Sequence, residues 1–290
     1  MFKKIATKIG NQRHYYQHLT PSKLDAVFVV STGRTGTKFF ETFFNNVDQH
    51  TFAVHEPQPD FFDLSMEKYR GKKSTKSVAE SIFQKRDPYL RNFCAQRIKR
   101  YVECNPFLSL LLPETKATFK KAKFIVLTRQ PETYIKSALN KSPLDDGAFY
   151  FYGEKDKRIR LKAADIEGDP YQKDWETFSR MQKIAWYWSK CNEILLDFLE
   201  ENQSICLHIH FEDLFTKENA RKLETIHQML SFLDIQLTEK KVQDLLALTH
   251  VKKNQTQKLI FEGIEGWSDE KREQFYTLTK TVKNRISLLR

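Results

Sequence analysis

The chain has 290 residues, of which 40% are hydrophobic and 13% are aromatic. This composition is enough for one α/β domain with a sizeable core, and it excludes a disordered chain. The formal net charge is +11, so we expect an anionic partner such as a nucleotide, an acidic glycan, a membrane surface or a nucleic acid. Because the basic residues are spread along the chain rather than gathered in one dense segment, a nucleic acid is the least favoured of these.

Targeting and redox signals are sparse. The four cysteines show no C-x-x-C spacing, so neither a zinc site nor a disulfide framework is predicted, and we expect reduced thiols in a cytoplasmic protein. No apolar run approaches the roughly 20 residues of a membrane span, and no signal-peptide core is present at the start. Residues 1–23 are predicted to form an exposed basic arm, followed by one domain over residues 24–290 with insertions at about 58–94 and 141–173.

The first strong pattern in the chain is a strand, a glycine-bearing turn and a helix. Val27–Val30 is a short apolar run rich in β-branched residues, which predicts a buried strand. Gly33 and Gly36 follow in the turn, and four phenylalanines then repeat at i, i+4, as on the apolar face of a helix. Since the free N–H groups of a first helical turn attract anions, and Arg34 and Lys38 add positive charge, the sequence predicts a phosphate-binding loop.

This loop differs from two common nucleotide-binding motifs. Gly33 and Gly36 are three positions apart, and Thr37 stands where the lysine of a nucleotide triphosphatase loop would follow the second glycine. The chain has no G-x-G-x-x-G motif, which disfavours a dinucleotide-binding fold. A kinase that uses Mg-ATP, disfavoured by the missing Gly-Lys-Ser/Thr, and a non-catalytic protein that binds anions or nucleic acid are the alternatives left open.

The remaining elements predict an α/β fold with a parallel sheet. Strands are predicted over residues 51–54, 100–104, 123–128 and 204–210, and helices over 132–140, 184–198 and within 223–246. Residues 58–94 carry one short helical pattern, around 78–84, and are predicted to lie outside the sheet. The polar residues that end the strands are expected on the side where open α/β sheets bind ligands.

Two motifs resemble those of the sulfotransferases that use 3′-phosphoadenylyl sulfate (PAPS). Residues 34–39, RTGTKF, follow the 5′-phosphosulfate loop of that family, in which a Lys or Arg, a small residue, Gly-Thr, any residue and an aromatic residue succeed one another. Arg129 ends a predicted strand and Ser137 lies eight positions later on a helix, as do the family's 3′-phosphate ligands. The resemblance spans about residues 27–246. It implies a P-loop-like three-layer sandwich, PAPS as donor, adenosine 3′,5′-bisphosphate as product and no required metal.

The resemblance also implies roles for individual residues. In the loop, Arg34 is ranked above Lys38 as the catalytic cation, Thr37 is expected to hydrogen-bond the 5′-phosphate, and Phe39 is expected to stack on adenine unless it packs in the core. Phe211 replaces a family tyrosine near the adenine. The full set of expected donor-binding residues is Gly33, Arg34, Thr35, Gly36, Thr37, Lys38, Phe39, Arg129, Ser137, Phe211 and Lys253.

The general base is the remaining assignment. Members of the family that sulfate small molecules place a histidine after the third strand, but the sequence here is Glu103-Cys104-Asn105-Pro106. Several glycan sulfotransferases use a glutamate after the second strand, and Glu56 stands there. We therefore predict Glu56 as the base, with His55 second and Glu103 third. The same pattern resembles the carbohydrate and bacterial members more than the cytosolic small-molecule branch, which implies a saccharide or another hydroxyl-bearing acceptor.

Overall fold

The computed structural model describes residues 25–95, 98–141, 151–153, 156, 158–251 and 261–289. Within them, five strands form one parallel sheet: β1 (Asp25–Ser31), β2 (Thr51–His55), β3 (Arg100–Cys104), β4 (Lys123–Thr128) and β5 (Cys206–His210). All five coincide with predicted strands to within two residues at each end. The expected basic arm and Lys253 lie outside the described residues.

The order of the strands, β2-β3-β1-β4-β5, puts β1 at the centre of the sheet. Strand β1 pairs with β3 on one side, where Val29 is opposite Cys104, and with β4 on the other, where Ser31 is opposite Leu127. The turns that follow β1 and β4 are therefore neighbours at the carboxyl edge of the sheet. Ligands of open α/β sheets bind at this edge, where the direction of the crossovers changes.

Helices cover both faces of the sheet. They are α1 (Thr37–Asn45), α2 (Phe62–Tyr69), α3 (Thr75–Ala95), α4 (Leu112–Thr118), α5 (Pro131–Leu139), α6 (Arg180–Glu201), α7 (Phe211–Leu214), α8 (Asn219–Phe232), α9 (Glu239–Leu248) and α10 (Asp269–Ser287). Alternate residues of β1 separate the two sides: Val27 and Val29 pack with α1, α8 and α9, whereas Ala26 and Phe28 pack with α3, α4 and α6. The predicted three-layer α/β sandwich is confirmed.

Helix α3 corrects the interpretation of residues 58–94. The sequence showed only a short helical pattern there, yet α3 runs for 21 residues and continues past Pro88. Its core-facing stripe has a spacing of four and consists of Val78, Ile82, Arg86 and Leu90, all at most 1% exposed. A buried arginine in the third position interrupts the apolar periodicity, and this hid the second half of the helix.

Helix α10 is a second element that the sequence analysis did not predict. It packs against α6, and its buried residues Phe275, Leu278, Val282 and Ile286 follow a helical spacing of three to four. Among the helices of the described ranges, none is long and apolar enough to cross a membrane.

Candidate active site

The loop between β1 and α1 is a tight left-handed turn. Gly33 and Gly36 both have a φ of 78°, and Arg34 between them has a φ of 56°. At Gly36, which caps α1, a Cβ atom would lie 3.0 Å from the ring of Phe215. Glycine is therefore required there both by the backbone conformation and by the ring beside it.

Hydrogen bonds to buried hydroxyl groups hold this loop against the end of β1. Thr35 Oγ1 donates to Ser31 Oγ at 2.7 Å, and the Gly33 N–H donates to the same oxygen at 3.0 Å. Ser31 is in turn fixed by Ser109, which accepts from its N–H at 2.9 Å and donates to its carbonyl at 2.7 Å. The Thr35 side chain thus supports the loop from within the protein.

The two sequence motifs meet at Arg34. Arg34 Nε donates to Ser137 Oγ at 3.0 Å, although the two residues are 103 positions apart. The guanidinium of Arg129 donates to the Arg34 carbonyl oxygen. Because β1 and β4 are neighbours, Arg34 in the loop after β1 lies next to Arg129, which follows β4, and to Ser137 on α5. The three residues form one cationic cluster.

Burial makes this cluster electrostatically unsatisfied. Desolvation lowers the pKa of Arg34, against the opposing effects of Tyr134 and Glu56. The pKa of Arg129 is lowered to about 10, first by burial and also by the nearby Arg34, while Glu212 acts in the opposite direction. Two half-buried guanidinium groups, one of which lowers the pKa of the other, favour a bound anion, whose charge would offset both effects.

Arg129 is held in place by three neighbours. Its Nε donates to Thr133 Oγ1 at 3.0 Å, and its carbonyl accepts from Trp188 Nε1 at 3.0 Å. The guanidinium carbon lies 4.3 Å from the ring centroid of Phe211, a cation–π contact. Phe211 is half-buried beside the loop, as expected of a ring near the donor.

Thr37, His55 and Glu56 form a second polar group at the ends of β2 and the loop. Thr37 Oγ1 lies 3.0 Å from His55 Nε2, and that nitrogen is 3.6 Å from Glu56 Oε1. Glu56 adopts a φ of 43°, a left-handed conformation uncommon for a residue other than glycine, and its N–H donates to the Cys104 carbonyl at 3.1 Å. The predicted base thus stands at a sharp turn anchored to the end of β3.

The environment of Glu56 suits a proton acceptor. Burial raises the pKa of its carboxyl group and Asp60 raises it further, while Arg158, Arg34 and Lys141 oppose the shift. Burial also lowers the pKa of His55, which favours the neutral imidazole. A carboxylate with a raised pKa, near the cation Arg34, is the arrangement expected of a general base.

Two further expected donor-binding side chains, Phe39 and Lys38, lie in the first turn of α1. Phe39 is 3% exposed and packs edge-on against Phe215 and Phe40, with centroids 5.2 and 5.3 Å away. The structure thus places Phe39 in the core, as the competing interpretation predicted, and offers no free ring face for adenine. Lys38 is exposed on the first turn of α1.

Glu103, the third candidate base, is a structural carboxylate. It is fully buried and receives two hydrogen bonds of 2.6 Å from Arg86, with Tyr101 OH and Asn105 Nδ2 each at 2.8 Å. Its oxygens are fully engaged, so Glu103 is not available to an acceptor. This pairing could not be predicted from sequence, because Arg86 lies in the half of α3 that was not predicted.

No group of three or more His, Cys, Asp or Glu side chains within the described ranges could hold a metal ion.

The sequence analysis assigned no individual role to Asp60 or Arg158, which form an ion pair of 2.7 Å near Glu56. Their pairing joins residues 98 positions apart, a contact that no local pattern announces.

Comparison with known proteins gives consistent results. Residues 24–279 match the family described as "Sulfotransferase domain". Mouse sulfotransferase SULT7A1, solved in complex with PAP, has a similar fold at 10% identity with a TM-score of 0.50, covering 97% of this chain and 93% of that one. Sulfotransferase STF9 from Mycobacterium avium gives a TM-score of 0.50 at 11% identity over 92% and 80%. A search of curated proteins found no match.

Proposed function

Because the chain belongs to the sulfotransferase family, we propose that it transfers the sulfuryl group of PAPS to a hydroxyl group of a saccharide acceptor. The observation that carries the proposal is the meeting of Arg34, Arg129 and Ser137 in one half-buried cationic cluster. This cluster suits a donor with phosphate groups at both ends of its ribose, and a single anion-binding loop would not need the second arginine. Membership of the family sets the kinase and the non-catalytic alternatives aside.

The donor-binding roles follow from which groups are held where. Arg129 and Ser137 would hold the 3′-phosphate, since a planar guanidinium and a hydroxyl both donate to phosphate oxygens. The N–H groups of the loop at the start of α1, together with Thr37, would hold the 5′-phosphate. Phe211 is a partly exposed ring beside this site, and it would flank the adenine.

The reaction needs a base on one side of sulfur and positive charge on the other. PAPS supplies the sulfuryl group when bound. The acceptor oxygen bonds to sulfur as the bond between sulfur and the phosphate oxygen breaks, and the hydroxyl proton passes to Glu56. Arg34 and the loop N–H groups stabilise the negative charge that develops on the phosphate oxygen. His55 would orient Glu56 and Thr37, between which it lies.

A calorimetric titration with adenosine 3′,5′-bisphosphate tests the donor site. We expect binding of the bisphosphate to be tighter than binding of ADP, and Arg129→Ala to weaken the bisphosphate by about tenfold or more while changing ADP little, since a hydrogen bond to a charged group contributes about 1.5–3 kcal/mol. Equal losses for both nucleotides would remove Arg129 from the 3′-phosphate site.

Arg285→Ala is the matched control for this titration. Arg285 pairs with Asp197 and Glu200 at the end of α6 that precedes β5, so it lies toward the opposite edge of the sheet. Its removal is expected to leave the binding of both nucleotides unchanged.

A further inference from the structure

A cavity of about 490 Å³ adjoins the turn that carries Glu56. It lies between residues 58–72 and the segment at 158–159. Asp60 and Arg158 both line it, and both also act on the pKa of Glu56, the first raising and the second lowering it. The volume is within the range of small-molecule sites. The cavity is therefore placed where an acceptor would be next to the proposed base.

The cavity is charged but balanced. Its wall carries three carboxylates and three cations, namely Asp60, Asp63, Glu67, Arg70, Lys72 and Arg158. Their formal charges cancel, whereas the whole chain carries +11. The basic character of the protein is therefore not a property of this cavity.

Ion pairs fix the charged groups at the wall. Asp60 and Arg158 are 2.7 Å apart, and Arg70 donates to both oxygens of Asp165, at 3.2 and 3.4 Å. The guanidinium of Arg158 is stacked 4.6 Å from the ring centroid of Phe62, which also lines the cavity. Paired in this way, the groups keep carboxylate acceptors and guanidinium donors at fixed positions without a strong field of either sign.

We propose that this cavity is the acceptor subsite and that it selects uncharged, polyhydroxylated acceptors, with the Asp60–Arg158 pair as the element that determines specificity. The proposal rests on the sulfotransferase function proposed above. Hydroxyl groups both donate and accept, so a neutral sugar can satisfy both members of the pair at once. The apolar side chains of Phe62, Met66 and Ile159 in the wall offer a surface to the C–H face of a sugar ring.

Charged and apolar acceptors fit less well. A uronate would meet the carboxylates of Asp60, Asp63 and Glu67. Of the cations in the same wall, Arg158 is bound to Asp60 through Nη2 and Arg70 is bound to Asp165, so both are already engaged. Like charges brought together at a recognition site discriminate strongly against the wrong partner. A flat apolar alcohol would displace water from six charged side chains and form few hydrogen bonds with them, so the cost of desolvation would not be offset.

Ligand-observed saturation-transfer NMR on the protein saturated with adenosine 3′,5′-bisphosphate tests this. The probes are methyl β-glucopyranoside, methyl β-glucuronide and methyl β-glucosaminide, which differ in charge but little in shape. We expect the neutral glycoside to bind about tenfold more tightly than the uronate. Asp60→Asn should reverse this preference, because Arg158 is then left to the uronate, while the amide oxygen can still accept from the Phe62 N–H at the start of α2.

Two further variants keep the test decisive. Ile159→Lys adds a cation at a rim position that is 66% exposed, so it should shift the preference toward the uronate without affecting folding. Asp197→Asn removes the carboxylate of a surface pair with Arg285 at 2.8 Å and should leave the preference unchanged.

Three results would overturn the proposal. They are a wild-type protein that binds the uronate as well as the neutral glycoside, a preference that Asp60→Asn leaves intact, or no binding of any of the three glycosides to the nucleotide-saturated protein. Failure of the proposed function has a different signature, since it would appear first as absent binding of the bisphosphate itself.

Discussion

The buried pair of Arg86 and Glu103 leads to the strongest prediction about stability. Both side chains are fully buried, and they share two hydrogen bonds of 2.6 Å. Arg86 also donates to the Pro59 carbonyl at 2.9 Å, and Asn105, which donates to Glu103, also donates to the Asp60 carbonyl at 3.1 Å. The segment that follows Glu56 is therefore held at two carbonyl groups, that of Pro59 by Arg86 itself and that of Asp60 by Asn105, which is bound to Glu103.

Replacing Arg86 by methionine keeps much of the volume and leaves Glu103 charged and unpaired. Removing one partner of a buried pair costs about 3–5 kcal/mol, and the lost hydrogen bond to Pro59 adds about 1 kcal/mol. Since whole domains are stable by only about 5–15 kcal/mol, we expect Arg86→Met to lower the free energy of unfolding by a large fraction, measured as a shift of the urea midpoint followed by tryptophan fluorescence.

The double variant Arg86→Met/Glu103→Gln separates the charge from the packing. The glutamine removes the unpaired charge and still accepts a hydrogen bond from Tyr101 or Asn105, so the double variant should be about 2 kcal/mol more stable than Arg86→Met alone. Arg285→Met is the control, because its partners Asp197 and Glu200 are more than half exposed and surface pairs contribute about 0–1 kcal/mol.

The same variants report on the position of Glu56. If Arg86 holds the turn of Glu56, the double variant should fold, bind adenosine 3′,5′-bisphosphate normally and transfer sulfuryl groups more slowly. The reasoning is refuted if Arg86→Met lowers the free energy of unfolding no more than Arg285→Met does. It is also refuted if the double variant is no more stable than Arg86→Met.

Two further predictions concern the loop and the base. Glu56→Gln should lower turnover by a factor on the order of 10²–10⁴ with unchanged bisphosphate affinity; near-normal turnover would exclude Glu56 as the base. Because the folded protein raises the pKa of Glu56, its ionised form destabilises the fold, so Glu56→Gln should also stabilise the protein at neutral pH, and this gain should disappear as the pH falls to the unfolded value of about 4.3. Gly36→Ala should cost about 1–3 kcal/mol in a urea titration, because φ is 78° and the Phe215 ring is 3.0 Å from the new Cβ; Gly71→Ala, also at positive φ but with open space around it, is the matched control and should cost less.

The sheet was predictable from the sequence because each strand is a short run with a strong apolar signal. Val27–Val30 and residues 124–128 are buried on both faces, so each run is recognisable without help from its neighbours. The order of the strands was not predictable in this way. It depends on which crossovers pack on which face, and the adjacency of β1 and β4, which brings Ser137 to Arg34, appears only in the folded sheet.

The site residues divide according to whether their signal is local. The signal of Gly36 is local, since the turn and the helix start are contiguous in sequence, and the structure places Gly36 in the predicted turn, directly before α1. The role of Phe39 was ambiguous in the sequence, because a phenylalanine at i, i+4 spacing can pack in a core or contact a ligand. In the structure Phe39 packs in the core. Arg86 was invisible because a charged residue on a core-facing position violates the apolar pattern that reveals a helix, and only its partner Glu103, on another element, explains it.

Different contacts hold the loop after β1 and the segment that lines the cavity, so the residues of the cavity can change without a change in the loop. The loop of the proposed donor site is tied to the end of β1 by the hydrogen bonds between Ser31 and Ser109. The proposed acceptor side is attached through the Arg86–Glu103 pair and through Asp60, whose partner Arg158 comes from a distant segment. Changes in residues that line the cavity can therefore alter the acceptor while the donor loop stays fixed. In this arrangement Glu56 belongs to both halves, because its backbone is tied to the end of β3 and its carboxylate responds to Arg34 on one side and to Arg158 on the other.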